Sequence, residues 1–438
     1  MTQQGVSWID KLIWSWAPES FKEAGESIVK NFWLHWFPAK VSRRSLAFNY
    51  SFWLGTISAV LFAILGVTGV LLMFLYVPSV ERAYPTMKDL DYVVAYGWLL
   101  RGVHRMAAHL MVAFVFFHMV RVFYTAAYKK SPTGGSRPLN WIVGVLLLVV
   151  TLALSYSGYL LPWDQLAYWA MVIGSNVAKS VPILGKKIQF LLIGGTEIGQ
   201  ATLIRFYVLH CVFLPLIALT LIVYHMWRIR KDGGLACMDQ MVLKSEKERV
   251  ESVGSKTYSL LGITRGMEVN VLTSARAEEE NLIPSAPNLA KRILWVTLFT
   301  MFVTMVLAIL VRMPLEAPAN SAVAPNPAKA PWYFLWLQEL IADTTIRLGR
   351  FTINGGFVGG VLIPGVLALW LALWPFLDKS SPQAAGVWFP RERLRQNVVF
   401  TLIVLGILVL LFIGGICRGP NWDFYWPWQP WPELPMHF

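Results

Sequence analysis

Seven long apolar segments constrain the fold of this chain more than any other feature of its sequence. A bilayer holds no water to pair with backbone N–H and C=O groups, so a spanning segment must be an α-helix or part of a closed barrel. Each segment has about 20 residues, the length of a helix that crosses a bilayer. The predicted spans are residues 50–77, 99–124, 142–161, 201–227, 293–311, 356–377 and 398–417. We therefore expect an all-α integral membrane protein.

Two of these segments each carry a pair of histidines. His104 and His118 are fourteen residues apart in the second segment, and His210 and His225 are fifteen apart in the fourth. On a helix, fourteen residues return to nearly the same face about 21 Å further along the axis. Two such helices side by side place imidazoles opposite one another at two depths, as two hemes with paired axial histidines require. The prediction is a four-helix diheme bundle plus three further transmembrane helices.

Glycines repeat the histidine interval on the other two helices of the predicted bundle. Gly55 and Gly69 are fourteen apart in the first segment, and Gly144 and Gly158 are fourteen apart in the third. Ordinary packing of small residues between membrane helices could explain one such pair. Two pairs at this interval favour clearance for a flat porphyrin, because a helix approaches closely only where it lacks side chains.

The charge of the chain is that of a membrane protein and not of a nucleic-acid-binding one. The net charge is +13, yet only 14% of residues are charged, and the positive residues cluster in loops between apolar segments. The richest clusters precede the first and last spans and follow the second and fourth, so these loops are expected on the cytoplasmic side. His104 and His210 then lie near the outer side. The three cysteines form no C-x-x-C pair, which excludes a c-type heme attachment and an iron–sulfur site.

Composition divides the chain into five regions. Residues 1–45 mix aromatic and charged residues and predict an amphipathic surface helix. A four-span diheme core (46–230) is followed by a polar cytoplasmic linker (231–290), a three-span C-terminal domain (291–417) and a Trp- and Pro-rich tail (418–438).

Several motifs around the histidines resemble cytochrome b of the bc-type quinol–cytochrome c oxidoreductase complexes. Arg101-Gly-Val-His104 and His118-Met-Val-Arg121 are similar to the family's R-x-x-H and H-x-x-R. Gly158-Tyr-Leu-Leu-Pro-Trp-Asp-Gln is similar to G-Y-V-L-P-W-G-Q, and the fourth span opens Arg205-Phe-Tyr-Val-Leu-His210. The fifteen-residue histidine spacing resembles the chloroplast-like branch, whose separate small subunit the last three spans resemble. Pro215, between His210 and His225, can kink the helix and absorb the extra residue.

The resemblance implies two non-covalent hemes b held by the four histidines, with Arg101, Arg121 and Arg205 among the cofactor-binding residues. It implies an outer quinol site near Tyr159, Trp332 and Tyr333, and an inner quinone site to which Arg230 and Lys231 could belong. The implied partners are a Rieske-type iron–sulfur protein, a cytochrome c or multiheme c-type subunit, quinol, lipid and a second copy in a homodimer. No nucleic acid is expected, and the implied location is a bacterial cytoplasmic membrane.

The chain departs from the family at the outer site. Where the family has P-E-W-Y, this chain has Ala330-Pro331-Trp332-Tyr333, so the acid thought to take a quinol proton is absent. Glu339, two helical turns further on, is a candidate substitute. The family glycine of L-P-W-G-Q is Asp164. Trp53 stands where the chloroplast branch has a cysteine that holds an extra heme, so no covalent heme is expected.

Two alternatives remain at this point. A diheme membrane anchor would exchange electrons between quinol and a dehydrogenase or multiheme partner without bifurcation, and the altered acidic motif favours it. A transporter or structural bundle would use the histidines for packing alone. Because a polar side chain inside a membrane is costly, four unpaired histidines make this second alternative unfavourable.

Overall fold

The computed structural model describes most of the chain, and it is largely helical. The described residues are 37, 40–129, 137–232, 234, 258–259, 262–263, 282–349 and 351–432. The main helices in chain order are α1 (Leu54–Met73), α2 (Ala83–Tyr92), α3 (Gly97–Tyr124), α4 (Arg137–Tyr159), α5 (Gln165–Lys179), α6 (Gly185–Ile193), α7 (Gln200–Lys231), α8 (Ser285–Leu310), α9 (Trp332–Asp343), α10 (Gly355–Leu377) and α11 (Arg391–Cys417).

Seven of these helices are long and apolar enough to cross a membrane, counted over the described part of the chain. They are α1, α3, α4, α7, α8, α10 and α11, and each overlaps one of the seven predicted spans. The prediction of an all-α integral membrane protein is therefore confirmed. Three short antiparallel strand pairs join loops: β1 (Lys40–Ser42) with β4 (Leu282–Pro284), β2 (Tyr258–Ser259) with β3 (Gly262–Ile263), and β5 (Ile346–Leu348) with β6 (Phe351–Ile353).

The ends of the spans differ from the predicted limits. The first was predicted from residue 50, but α1 begins at Leu54, because Phe52 and Trp53 adopt left-handed backbone conformations with φ of 49° and 55°. The predicted linker ends at 290, whereas α8 already begins at Ser285. Most of the predicted surface helix and of the linker lies outside the described residues. Of the described residues of the predicted surface helix, Lys40–Ser42 form the strand β1, and a 3-10 turn follows at Arg44–Leu46.

The extra residue between His210 and His225 is accommodated by a π-helical turn within α7 and not by the predicted kink. Residues Leu209–Phe213 form a π-helical turn immediately before Pro215. A π turn holds one more residue than an α turn, so fifteen residues complete about the same rotation as fourteen. The prediction that the region of Pro215 compensates for the spacing thus gains a physical explanation.

The three C-terminal spans pack around the four-helix bundle. Inside the bundle α1 packs against α3, and α4 against α7; α8 then lies on α1 and α3, and α10 on α4. A buried polar cluster joins the two halves at the inner end. There the Asp378 carboxylate accepts a hydrogen bond from the Tyr128 hydroxyl (2.6 Å) and forms ion pairs with Arg393 (3.1 Å) and Lys129 (3.3 Å).

Candidate functional site

The four predicted histidines meet in two pairs, one near each end of the bundle. The imidazole centres of His104 and His210 are 6.3 Å apart, with their planes at 81°. Those of His118 and His225 are 6.4 Å apart, at 82°. The two sites therefore have nearly the same geometry, although the histidines of α7 are one residue further apart than those of α3.

This spacing fits a metal ion held between two imidazoles. A metal–imidazole bond is about 2 Å long and the ring nitrogen lies about 1.1 Å from the ring centre, so two rings on one metal have centres about 6 Å apart. A direct hydrogen bond between the rings would bring the centres closer than this. The donor set, two neutral imidazoles on opposite sides, is one that binds heme iron.

Hydrogen bonds at Nδ1 of two of the histidines leave Nε2 available as the ligand atom. The Thr68 hydroxyl donates to the Ile64 carbonyl (2.7 Å), so its oxygen accepts the N–H of His104 Nδ1 (2.8 Å). His210 Nδ1 donates to the Leu154 carbonyl (3.1 Å), with the Ser157 hydroxyl at 3.2 Å. Because a neutral imidazole carries one proton, these bonds place the lone pair on Nε2 and fix the ring orientation.

The four glycines lie directly against the four imidazoles. A methyl group built on any of them would meet its histidine as the nearest side chain, in the pairs Gly55 with His118, Gly69 with His104, Gly144 with His225 and Gly158 with His210. The close approach of α1 and α4 to the histidine helices therefore depends on glycine at Gly55, Gly69 and above all Gly158, whereas Gly144 has room for a methyl group. The structure shows that these glycines contact the imidazoles. That they also make room for a porphyrin stays a prediction.

Replacement of Gly158 by alanine is expected to weaken heme binding at the outer pair. The new Cβ would lie 2.5 Å from Cε1 of His210, so the ring must shift. Overpacking of this kind costs about 1–3 kcal/mol, or a roughly 5- to 150-fold loss of affinity. Gly144→Ala is the matched control, because its Cβ would lie at an ordinary 3.8 Å from His225. Heme titration would measure both variants, and equal losses would contradict the role of the contact.

A cavity of about 630 Å³ runs along the bundle, and all four histidines line it. Arg101 lines it near the outer pair, where its guanidinium also pairs with Asp91 (2.7 Å) and donates to the carbonyls of Met313 and Pro314. Arg121 lines it near the inner pair and lies over the ring of Tyr50, 4.7 Å from its centre. Both arginines are thus within the cavity that would hold the porphyrins, where they can pair with propionates.

The outer end of the cavity is lined by Tyr159, Tyr333, Asp164, Arg105 and His109. Burial raises the pKa of Tyr333 to about 12, an effect that the nearby Arg105 partly opposes. The hydroxyl of Tyr333 is therefore neutral at physiological pH and can donate a hydrogen bond. Asp164 caps α5, since one carboxylate oxygen accepts from the Ala167 N–H at 2.9 Å. The other oxygen accepts from the Glu316 N–H at 3.3 Å.

Besides Glu339, three predicted site residues do not line this cavity. Trp332 is partly exposed, and its indole N–H donates to Nδ1 of His109 at 3.1 Å. Arg205 points outward and donates to the Ala201 carbonyl at 3.2 Å, so the structure does not bring it to the predicted cofactor. Lys231 lies over the ring of Trp227 at 4.9 Å, whereas its neighbour Arg230 does line the inner end.

Glu339, predicted as a candidate substitute for the missing acid, does not lie at the outer end of the cavity. Its side chain is fully buried, away from the cavity, and both oxygens accept from Arg418 Nε, at 2.9 and 3.0 Å. The Trp422 indole donates to Oε2 at 3.0 Å. A carboxylate held by this many donors has no access to a quinol in the cavity. Through these hydrogen bonds, Glu339 connects α9 to Arg418 and Trp422, which follow α11.

Glu339→Gln is accordingly expected to lower stability and to leave quinol oxidation per intact heme unchanged. The amide keeps one acceptor oxygen, and Arg418 keeps Asp343 at 3.2 Å, so a cost of about 1–3 kcal/mol is expected. Unfolding in detergent and the pH profile of turnover would measure the two effects. A shifted pH profile would restore Glu339 as a proton acceptor.

Sequence reasoning did not place His109 and Arg105 at the outer end of the cavity, where the structure has them. The sequence alone favours a packing or hydrogen-bonding role for His109, because five residues of helix turn it about 140° away from His104. That face of α3 meets α9, more than 200 residues later in the chain. No spacing rule could have revealed this contact, although the unexpected aspartate in L-P-W-D-Q was a usable signal.

Comparisons with known proteins agree with this geometry. Residues 40–233 match the family model "Cytochrome b/b6/petB", and residues 318–425 match "Cytochrome b(C-terminal)/b6/petD". Cytochrome b6 of Heliomicrobium gestii is 40% identical over 185 residues, which are 42% of this chain and 84% of that protein. Cytochrome b6 of Acaryochloris marina gives the same identity and coverage. This chain belongs to the cytochrome b/b6 family.

A solved structure is similar to this chain over almost its whole length. A chain of "Hyperthermophilic respiratory Complex III" matches with a TM-score of 0.66 and 26% identity, over 93% of this chain and 90% of that one. The N-terminal and C-terminal parts of the family occur here in one chain, as predicted. This cytochrome b is therefore an integral membrane subunit of a quinol–cytochrome c oxidoreductase.

Proposed function

We propose that this cytochrome b holds two non-covalent hemes b and passes electrons between them across the membrane. His104 and His210 would hold the outer heme, and His118 and His225 the inner one. The observation that carries the proposal is the pair of imidazole spacings, 6.3 and 6.4 Å, at two depths of one cavity. Two buried, glycine-lined histidine pairs of nearly the same geometry support this proposal. Bound heme supplies one-electron transfer, and the chain supplies ligation, spacing and burial.

The residues at the two ends of the cavity would handle the quinone chemistry. At the outer end, Tyr159 and Tyr333 bound a pocket for quinol, and the hydroxyl of Tyr333 can donate to a ring oxygen. Arg101 and Arg121 would neutralise heme propionates near the two pairs. At the inner end, the cation of Arg230 faces the cavity and suits a quinone that is gaining electrons. Lys231, directed to Trp227, would serve as a positive anchor at the cytoplasmic surface.

The proposed reaction is bifurcated and requires partners. One electron of the quinol would go to a Rieske-type iron–sulfur protein, a separate subunit because this sequence has only three cysteines and no C-x-x-C pair. The other would cross the bundle to quinone at the inner side. A cytochrome c or multiheme c-type subunit would take electrons from the iron–sulfur protein. We also propose that the complex is a homodimer embedded in lipid.

A diheme membrane anchor without bifurcation is the second candidate. Pro331 supports it, because the residue at the motif's acidic position can neither accept nor donate a side-chain proton. Such an anchor would need the two hemes and one quinone site, but no iron–sulfur partner. Both candidates are compatible with the predicted division of the chain into five regions.

Oxidant-induced reduction separates the two candidates. The purified complex, supplied with quinol and an inner-site inhibitor, is given a pulse of oxidant while the visible bands of heme b are followed. Bifurcation predicts that the b hemes become reduced when the oxidant is added. Absence of this reduction in an intact, active complex would favour the anchor, and absence of b-type bands would reject both candidates. The subunit composition of the complex gives an independent check, since only the first candidate requires an iron–sulfur protein.

A further inference from the structure

The outer pocket of this chain lacks the acid of the family motif. Pro331 occupies that position and precedes the first residue of α9, and its side chain has no titratable group. Glu339 on the same helix is held by Arg418. Asp164 is directed to backbone N–H groups of α5 and of residue 316. Proton transfer from a quinol at this end of the cavity therefore needs another group.

His109 lies against the two aromatic residues that follow Pro331. Its Nδ1 accepts the indole N–H of Trp332 at 3.1 Å, and its ring centre is 5.7 Å from that of Tyr333. His109 also lines the cavity together with Tyr159 and Tyr333. It therefore brings a titratable side chain from α3 to the motif whose own acid is missing.

The hydrogen bond from Trp332 defines the proton state of His109. An indole N–H can only donate, so Nδ1 carries a lone pair and Nε2 carries the single proton of a neutral ring. Trp332 is partly exposed, and rotation of its side chain would free Nδ1 for another donor. A quinol hydroxyl in the cavity is a donor of the same kind.

The charged and titratable neighbours of His109 come from several elements. Arg105 precedes it by one turn on α3, Tyr333 faces it from α9, and Tyr159 and Asp164 share the cavity from α4 and the loop before α5. Helix α1 has no titratable side chain. Helix α8 has only Lys291 and Arg292, both near its inner end. A neutral imidazole has one ring nitrogen with a lone pair, and that nitrogen can accept a proton.

We propose that His109 is the proton acceptor of the outer quinol pocket, in place of the missing carboxylate. This inference rests on the proposed quinol oxidation at the outer site. The quinol loses two electrons, one to the iron–sulfur partner and one to the outer heme, and two protons. One proton passes from a quinol hydroxyl to Nδ1 of His109, which becomes imidazolium with its Nε2 proton retained. The other is released on the outer side, and quinone leaves.

Substitution of His109 by glutamine and by glutamate tests the proposal in the intact complex. Gln keeps hydrogen bonding but cannot take the proton, so quinol oxidation should fall by the order of 100-fold, the usual contribution of a general base. Glu restores a carboxylate and should recover at least about a tenth of the wild-type rate. Its activity should also persist to lower pH, because a carboxylate loses its proton at lower pH than an imidazole does. Asp343→Asn, on α9 but outside the cavity, is the matched control.

Heme content and the oxidant-induced reduction of the wild type make the outcomes separable. Loss of oxidant-induced reduction in the wild type would reject the proposed function itself. If the wild type shows it, a His109→Gln complex with both hemes, an unchanged rate and an unchanged pH profile would overturn the role of His109. A slow His109→Gln variant that His109→Glu does not rescue would also overturn it, since the residue would then act by packing alone.

Discussion

His104→Ala is expected to lower the heme content from about two to about one per chain, with loss of the outer heme. A non-covalent heme is retained by its axial ligands and by packing, and this change leaves His210 as the single axial ligand. His118 and His225 are some 21 Å away along the helices, so the inner site should keep both imidazoles. The remaining heme should therefore keep the low-spin spectrum of a bis-imidazole iron.

His118→Ala is the reciprocal variant and should remove the inner heme alone. Chemical quantification of heme per chain, with reduced-minus-oxidised spectra, would follow both variants. Equal loss of both hemes from either variant, in a protein that still unfolds cooperatively, would contradict the pairing. So would full retention of two hemes. The two variants can be compared directly because the two histidine pairs have nearly the same geometry, with ring centres 6.3 and 6.4 Å apart.

Asp378→Asn is expected to destabilise the protein by about 3–5 kcal/mol, because it leaves two buried cations without their anion. Arg393 is fully buried and pairs with Asp378 at 3.1 Å, and Lys129 pairs with it at 3.3 Å. The amide keeps one acceptor oxygen, which Tyr128, now donating at 2.6 Å, would have to share with Arg393 and Lys129. Since these contacts join the end of α3 to α10 and α11, the two halves of the molecule should separate at lower temperature.

Thermal unfolding in detergent would measure this effect. Asp343→Asn is the matched control, because the Asp343 side chain is 45% exposed and its ion pair with Arg418 should contribute less than about 1 kcal/mol. Equal shifts in the two variants would show that the buried cluster contributes no more than a surface pair.

The Asp378 carboxylate also makes the free energy of unfolding depend on pH. Burial tends to raise the pKa of Asp378, but hydrogen bonds from Tyr128 and Ser380 and the charge of Arg393 outweigh it and lower the pKa to about 2, from 3.8. A carboxylate with a lowered pKa stabilises the folded state above its unfolded pKa, and the effect disappears as pH falls. The difference in stability between wild type and Asp378→Asn should therefore shrink from about pH 4 to pH 2.

The membrane spans and the two histidine pairs followed from the sequence because both depend on local rules. A bilayer forces each apolar segment to be a helix, and helix periodicity then determines which residues share a face. His104 and His118 on α3, and the glycines at the same interval on α1 and α4, needed no knowledge of the loops. The exact limits did not follow, since left-handed residues such as Trp53 interrupt a helix for reasons of packing.

The sequence resemblance led to Tyr159 and Tyr333 at the outer pocket, but only the tertiary structure decided which polar side chains lie beside them. The sequence suggested Glu339 as the missing acid, but Arg418, 79 residues later, holds it away from the cavity. It suggested a packing role for His109, but Trp332, 223 residues later, brings it to the quinol motif. Arg205 matched a family motif and yet points outward. Hydrogen bonds within a helix join residues four positions apart, so a local sequence pattern can predict them. Contacts between distant segments depend on how every intervening element packs. A local sequence pattern does not encode this packing.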